Sequence, residues 1–186
     1  MRARDNPFAS ARLHQLRYRL RGATWEDILA RLEQLDWRAA VVGPHGSGKT
    51  TFLETLAPRL RARGFQIRLV RLSEDHPCFA PDQLEPVFAG QDQRPLVMLD
   101  GAEQLGAWAW RRFLRRTRQA HGLLITTHQP GRLPTLWRCK TTPDLLAALV
   151  EELQPRSVAP VGMLFDRHAG NLRGALRELY DWQAAR

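Results

Sequence analysis

The sequence predicts an α/β fold in three layers, a central parallel sheet between helices, with a small all-helical unit at its C-terminal end. Three observations predict it. Short runs that are apolar almost throughout recur at 39–42, 95–99 and 122–125, the pattern of strands buried on both faces of a parallel sheet. Helical stretches separate these runs, the most regular at 105–119, so strand and helix alternate. Past Thr141 the strand patterns stop, and three helical stretches follow at 143–153, 158–168 and 172–182.

The first apolar run leads directly into Gly43-Pro44-His45-Gly46-Ser47-Gly48-Lys49-Thr50, and a helical stretch opens behind it with Thr51-Phe52-Leu53. Strand, glycine loop and helix in that order form a phosphate-binding loop. The glycines let the backbone close around phosphate oxygens where a Cβ would block the approach. The unpaired N–H groups at the start of the following helix favour an anion. Lys49 is expected to reach the β- and γ-phosphates and Thr50 to ligate Mg²⁺, with Thr51 beside it at the loop's end. The fold class is therefore a P-loop NTPase, an ATPase or a GTPase, with Mg²⁺ as the expected metal. The chain holds 28 Lys and Arg residues, yet lysine stands only at 49 and 140. A lysine kept inside the loop of so arginine-rich a chain fits a cradle too tight for a planar guanidinium.

At 186 residues, with 44% hydrophobic and 25% charged residues, the chain is of ordinary globular composition and long enough for a substantial core. No apolar run approaches the roughly 18 residues of a membrane span, and no apolar stretch follows the charged start Met1-Arg2-Ala3-Arg4-Asp5, so neither a span nor a signal peptide is expected. Cys78 and Cys139 have no metal or redox spacing and read as reduced thiols of a cytoplasmic protein. A net charge of +9 suggests an acidic partner, nucleic acid first.

Taken in order, Asn6-Pro7-Phe8 opens an extended segment. Leu16, Tyr18 and Leu20 then alternate with arginines, as in a short strand with one basic face, although Leu13, Leu16 and Leu20 also fit a helix. Thr24 caps a helix, with Asp27 reaching back to it and Ile28, Leu29, Leu32 and Leu35 as its apolar stripe. The helix behind the phosphate loop runs to about Arg63, with Gly64 as its stop, and Pro58 inside it either kinks it or ends it early. Strands follow at 65–72, 95–100 and 122–127, with a short fifth at 136–139. The stretch 73–93 is a loop carrying a short helix near 82–88. The expected division is 1–37 as an N-terminal segment and helix, 38–141 as the P-loop core and 142–186 as a small helical unit.

Beyond the loop, Asp100 ends an apolar strand, where the acid that holds the magnesium water shell belongs. Glu103, three residues on, is the candidate general base for the attacking water. Thr126, Thr127 and His128 end the fourth strand, expected beside the first. A polar side chain there can bond the attacking water or the γ-phosphate. Arg111, Arg112, Arg115, Arg116 and Arg118 crowd one helix, interleaved with Trp108 and Trp110 on one side and Phe113 and Leu114 as core, and make the candidate surface for DNA, RNA or a protein.

Together these segments resemble the AAA+ ATPases from about Arg38 to Trp182. The run 124–130 looks like the sensor-1 strand of clamp-loader-like members, with His128 where they usually carry Asn. Trp137-Arg138-Cys139 is similar to their Ser-Arg-Cys motif, whose arginine reaches the neighbouring subunit's γ-phosphate; Arg132 is the other candidate for that finger. Gly170-Asn171-Leu172-Arg173-Gly174-Ala175-Leu176 looks like the sensor-2 motif, which implies that Arg173 contacts phosphate within its own subunit. Asn6-Pro7-Phe8 resembles the linker that helps cover the base. Asp100-Gly101-Ala102-Glu103 is closer to the displaced acid of NACHT-type signalling ATPases. No guanine-reading Asn/Thr-Lys-x-Asp motif is present in the sequence; a nucleotide or sugar kinase is a further option, for which no arginine-rich acceptor lid is identified. The resemblance implies an oligomeric ATPase that couples ATP state to remodelling or loading of a nucleic-acid or protein partner. The alternative is a monomeric nucleotide-gated binding module with little hydrolysis.

Overall fold

The computed structural model describes residues 6–79, 95–155, 157 and 159–185. The expected helix near 82–88 and the charged start at 1–5 lie outside the described residues.

Five strands form one parallel sheet: β1 (Arg38–Val42), β2 (Ile67–Arg71), β3 (Leu96–Asp100), β4 (Gly122–Thr127) and β5 (Thr135–Arg138), in the order β2-β3-β4-β1-β5. The fourth strand lies beside the first, as the sequence led us to expect, with Val42 opposite Thr127. Among the described residues, helices α1 (Ser10–Leu13), α2 (Trp25–Gln34), α3 (Lys49–Ala62), α4 (Ala107–Arg116), α5 (Pro143–Leu153), α6 (Val161–Arg167) and α7 (Leu172–Ala184) complete the chain.

Burial explains the layers. Val41, Met98 and Leu124 face one side of the sheet and pack with Leu32 of α2 and Phe52 and Leu56 of α3. Val42, Leu99 and Ile125 face the other and pack with Leu105 and with Phe113 of α4. α2 begins with the capping box expected of Thr24 and Asp27: Asp27 N donates to Thr24 Oγ1 at 3.1 Å and Thr24 N to Asp27 Oδ2 at 2.8 Å. α3 continues through Pro58 to Ala62, and Gly64 follows with φ of +88°. The missing N–H costs one helical bond, but Ala57 and Leu60 on either side are buried, and tertiary packing outweighs the local penalty.

One expectation is corrected. Residues 16–20 are extended but join no sheet. Tyr18 N donates to the Thr55 side chain of α3 at 3.0 Å, so its bonding goes to a helix rather than to a ladder. Asn6 and Phe8 pack into the helical unit. Phe8 is buried among Leu146, Val150, Leu164 and Leu176 of the C-terminal helices, and Asn6 Nδ2 donates to Tyr180 O at 2.9 Å. The first described residues thus complete the core of the helical unit at the other end of the chain. The stretch expected at 158–168 narrows to α6, Val161–Arg167, and α7 extends past Trp182 to Ala184.

The crossing from β4 over β1 to β5 is made by the loop 128–134, without a helix. Parallel neighbours are usually joined through a helix and at least a dozen residues. This short path brings Arg132 back over the sheet face covered by α4.

Candidate nucleotide site

The carboxyl ends of parallel strands are where open α/β sheets bind ligands. Here β1 ends in the glycine loop, β3 in Asp100 and β4 in Thr127-His128. Gly43 N donates to Thr127 O at 3.2 Å, which fastens the start of the loop to the end of β4.

Gly46 and Gly48 have φ of +70° and +86°, conformations that side chains other than glycine's resist. Space is also short. A Cβ on Gly46 would stand 1.8 Å from Asn171 Oδ1, and one on Gly43 2.8 Å from Cys139 O. Asn171 caps α7 by accepting from Gly174 N at 3.0 Å, so the first turn of α7 lies over the apex of the loop. Lys49 is 8% exposed, and its Nζ donates to Gly43 O and Pro44 O, each at 2.9 Å. An ammonium has three donors, which leaves one for a phosphate oxygen. Burial lowers the Lys49 pKa; the negative charge of Glu103, then Cys139 and Asp100, works against that. Ser47 Oγ is buried inside the loop and makes no hydrogen bond within the protein. An unmet donor in a glycine cradle is what a phosphate oxygen satisfies.

Thr50 Oγ1 donates to Asp100 Oδ2 at 2.8 Å. The other carboxylate oxygen accepts from Thr126 Oγ1 at 2.7 Å, and Thr126 Oγ1 in turn accepts from Gly101 N at 2.8 Å. Thr126 therefore orients the acid. Thr50 and Asp100 supply two hard oxygens side by side. No group of three or more His, Cys, Asp or Glu residues suited to a metal occurs among the described residues. That donor set fits Mg²⁺, which takes one or two carboxylates and leaves its other positions to water and phosphate. Replacing Thr126 with valine leaves Asp100 Oδ1 and Gly101 N without this partner. We expect the Mg²⁺ concentration needed for nucleotide binding to rise about 10- to 100-fold, with Thr126→Ser restoring it, as a magnesium titration with a fluorescent ATP analogue would show.

Glu103 sits in a short 3₁₀ turn (Ala102–Gln104) entered through Gly101, whose φ is +87°. A Cβ at Gly101 would meet Leu72 O at 2.3 Å, so only glycine allows the chain to turn there and bring Glu103 back towards the site. Glu103 Oε1 lies 3.1 Å from His128 Nε2, and the His128 ring stands edge-on to His45 of the loop at 5.8 Å between centroids.

Ser47, Lys49, Thr50, Asp100, Glu103, Thr126 and His128 all line one cavity of about 980 Å³. Its floor is the loop 46–51, with Asp100, Glu103 and His128 on one side. Leu145, Leu149, Leu172, Arg173 and Leu176 come from the C-terminal helices, and Leu13, Leu16 and Tyr18 from the N-terminal segment. Arg173, on the first turn of α7, lines the cavity where that turn meets Gly46. Arg138 lines it too, at the end of β5. The sheet order places β5 on the opposite side of β1 from β4 and β3, away from His128 and Asp100. Arg132 does not line this cavity; it is tied to Leu105 O and lies over the Trp110 ring.

Sequence reasoning missed Tyr18 and Asn171. Tyr18 touches the loop at Gly48, accepts from Trp137 Nε1 at 3.0 Å and packs edge-on against Phe52. Burial holds its hydroxyl well above the ordinary phenol range, so it stays neutral. Its only sequence signal is an aromatic ring amid alternating leucines and arginines. Cys139 is buried against the same tyrosine, and its thiol is pushed up to about 11, chiefly by burial, which makes it inert.

No protein-family model matches the chain, and no curated protein matches it in sequence. Solved structures do match in fold. Against the replication initiator DnaA bound to AMPPCP and single-stranded DNA, the TM-score is 0.58 at 13% identity, covering 83% of this chain and 58% of that one. PCH-2 of C. elegans gives 0.46 at 14% identity over 87% and 68%, and NtrX of Brucella abortus in complex with ATP gives 0.48 at 13% over 91% and 50%. The chain thus spans 58% of the DnaA chain and half of the NtrX chain. The sheet, the loop that follows its first strand and the likeness to the DnaA structure give one conclusion: the chain has the fold of the AAA+ P-loop ATPases.

Proposed function

We propose that the chain binds ATP with Mg²⁺ and hydrolyses it, and that the state of the nucleotide governs how the helical unit and the N-terminal segment close over the phosphate loop. The observation that carries this is the convergence of Lys49, the Thr50–Asp100 pair and the Glu103–His128 pair on one cavity. DnaA, with the highest TM-score of these three structures, was solved with the ATP analogue AMPPCP, which supports the choice of nucleotide. The loop 46–51 and Lys49 would hold the phosphates, and Thr50 and Asp100 would hold the metal. Mg²⁺ when bound neutralises phosphate charge and orients the γ-phosphoryl group. Glu103 accepts a proton from the attacking water, with His128 fixing its position. Arg173 meets the phosphates from the first turn of α7, so closure of the helices follows nucleotide occupancy. In this reading 38–141 is the catalytic core. The lid is 142–186, completed by the N-terminal residues docked into it. The two free thiols fit a cytoplasmic protein.

The partner is a single-stranded nucleic acid held on α4. Arg111, Arg112, Arg115, Arg116 and Arg118 are all exposed, and none forms an ion pair among the described residues. Trp108 is 69% exposed, with Arg112 at 5.7 Å over its ring. Arginines beside an exposed indole suit phosphates and a stacked, unpaired base. We expect affinity for an oligonucleotide to fall linearly on a log–log plot with salt, at about 0.7 per phosphate neutralised, and the slope to shrink in Arg111→Glu/Arg115→Glu. A flat salt response points instead to a protein partner.

Self-association is a second reading, favoured by Arg138, exposed at the edge strand. It would have Arg138 of one copy reach the next copy's site. Sizing the protein with and without a non-hydrolysable ATP analogue tests it: a larger species only with nucleotide supports the oligomer, and an unchanged monomer supports the self-contained site. Measured ATP turnover of the wild type tests the reading as a whole.

A further inference from the structure

The loop 128–134 carries one arginine that is not free to leave its own chain. Arg132 Nη2 donates to Leu105 O at 2.5 Å, and the guanidinium lies 5.0 Å over the Trp110 ring. Its other terminal nitrogen, Nη1, is buried and has no hydrogen-bond partner. Glu103 Oε2 is in the same condition: one carboxylate oxygen meets His128, and the other is buried and unpartnered. Both residues line a second cavity, of about 330 Å³, together with Thr127 and His128. Glu103 lines this cavity and the nucleotide cavity alike. Two buried, unpartnered polar atoms from groups of opposite charge on one small cavity are costly unless they answer each other.

We propose that Arg132 is a positioning residue for Glu103, reaching its far oxygen across the second cavity and so aiming the near one at the attacking water. This rests on the reading of Glu103 as the base. The other charged or titratable groups acting on Glu103 are His128 at the end of β4 and Lys49 in the loop. Burial disfavours the Arg132 charge while Glu103 favours it, in keeping with an electrostatic link between the two. The short crossover from β4 to β5 is what places this arginine behind the base. Its bond to Leu105 and its seat on Trp110 keep it from serving a neighbouring subunit.

The test is a double-mutant cycle in ATP turnover. Arg132→Gln should lower kcat about 10- to 100-fold with KM for ATP unchanged, and Arg132→Lys should keep part of the activity. In an Glu103→Gln background the same change should cost less than about twofold, because a positioning residue has nothing left to position. Fluorescent-nucleotide binding by each variant shows that it is folded. An equal loss of kcat in both backgrounds overturns the proposal. So does recovery of turnover on mixing Arg132→Gln with Lys49→Ala protein, since that would make Arg132 a finger acting between subunits. A wild type that binds ATP without turning it over removes the base reading beneath the proposal instead.

Discussion

Lys49→Ala should weaken ATP binding by about 10- to 100-fold, the effect of losing a charged hydrogen bond to phosphate. The loss should be larger than for any other single lysine or arginine in the site, because Lys49 is the cation inside the cradle and is 8% exposed. The variant also frees the carbonyls of Gly43 and Pro44, which now accept from Nζ. Lys49→Arg tests shape against charge. The added guanidinium has to fit where a compact ammonium bridges two carbonyls, so it should not restore binding. Titration with a fluorescent ATP analogue measures both variants, and a thermal melt without nucleotide separates weakened binding from unfolding.

Glu103→Gln should lower turnover by about 10²- to 10⁴-fold and leave ATP binding nearly intact. The substitution keeps the size of the side chain and its contact with His128 but removes the basic oxygen. Glu103 stands in a 3₁₀ turn behind Gly101, three residues past Asp100, so its route to the site depends on that turn and on the 3.1 Å contact with His128. Single-turnover hydrolysis on ATP-saturated protein gives the chemical step directly. Unchanged turnover would favour the alternative named from the sequence, a nucleotide-gated module in which this carboxylate carries no catalysis.

What the sequence revealed follows how far apart the interacting residues lie. The glycine loop, Asp100 and Glu103 are legible because each is announced by its neighbours: an apolar strand before, a turn or helix after. The capping box of Thr24 and Asp27 is legible for the same reason. Contacts between distant segments left no such trace. The bond from Thr126 to Asp100 joins two strand ends, and Asn171 meets Gly46 only because the C-terminal helices fold back over the loop. Asn6 and Tyr180 sit at opposite ends of the chain, so nothing local marks the N-terminal residues as part of the lid's core. Residues 16–20 misled for a different reason. Alternation of leucine and arginine suits a strand, but Tyr18 gives its N–H to the Thr55 side chain. For the finger, the sequence offered Arg138 first and Arg132 as the alternative. The sheet order and the contacts with Leu105 and Trp110 put Arg138 on the lining of the nucleotide cavity and Arg132 on that of the second.

Calorimetric titration of the wild-type chain with ATP, with and without Mg²⁺, addresses most directly whether a triphosphate occupies the cavity beneath α7. One ATP per chain, bound more tightly with Mg²⁺ and lost in Lys49→Ala, is the expected result. No heat of binding at millimolar ATP from protein shown to be folded, or equal binding by Lys49→Ala, would contradict it.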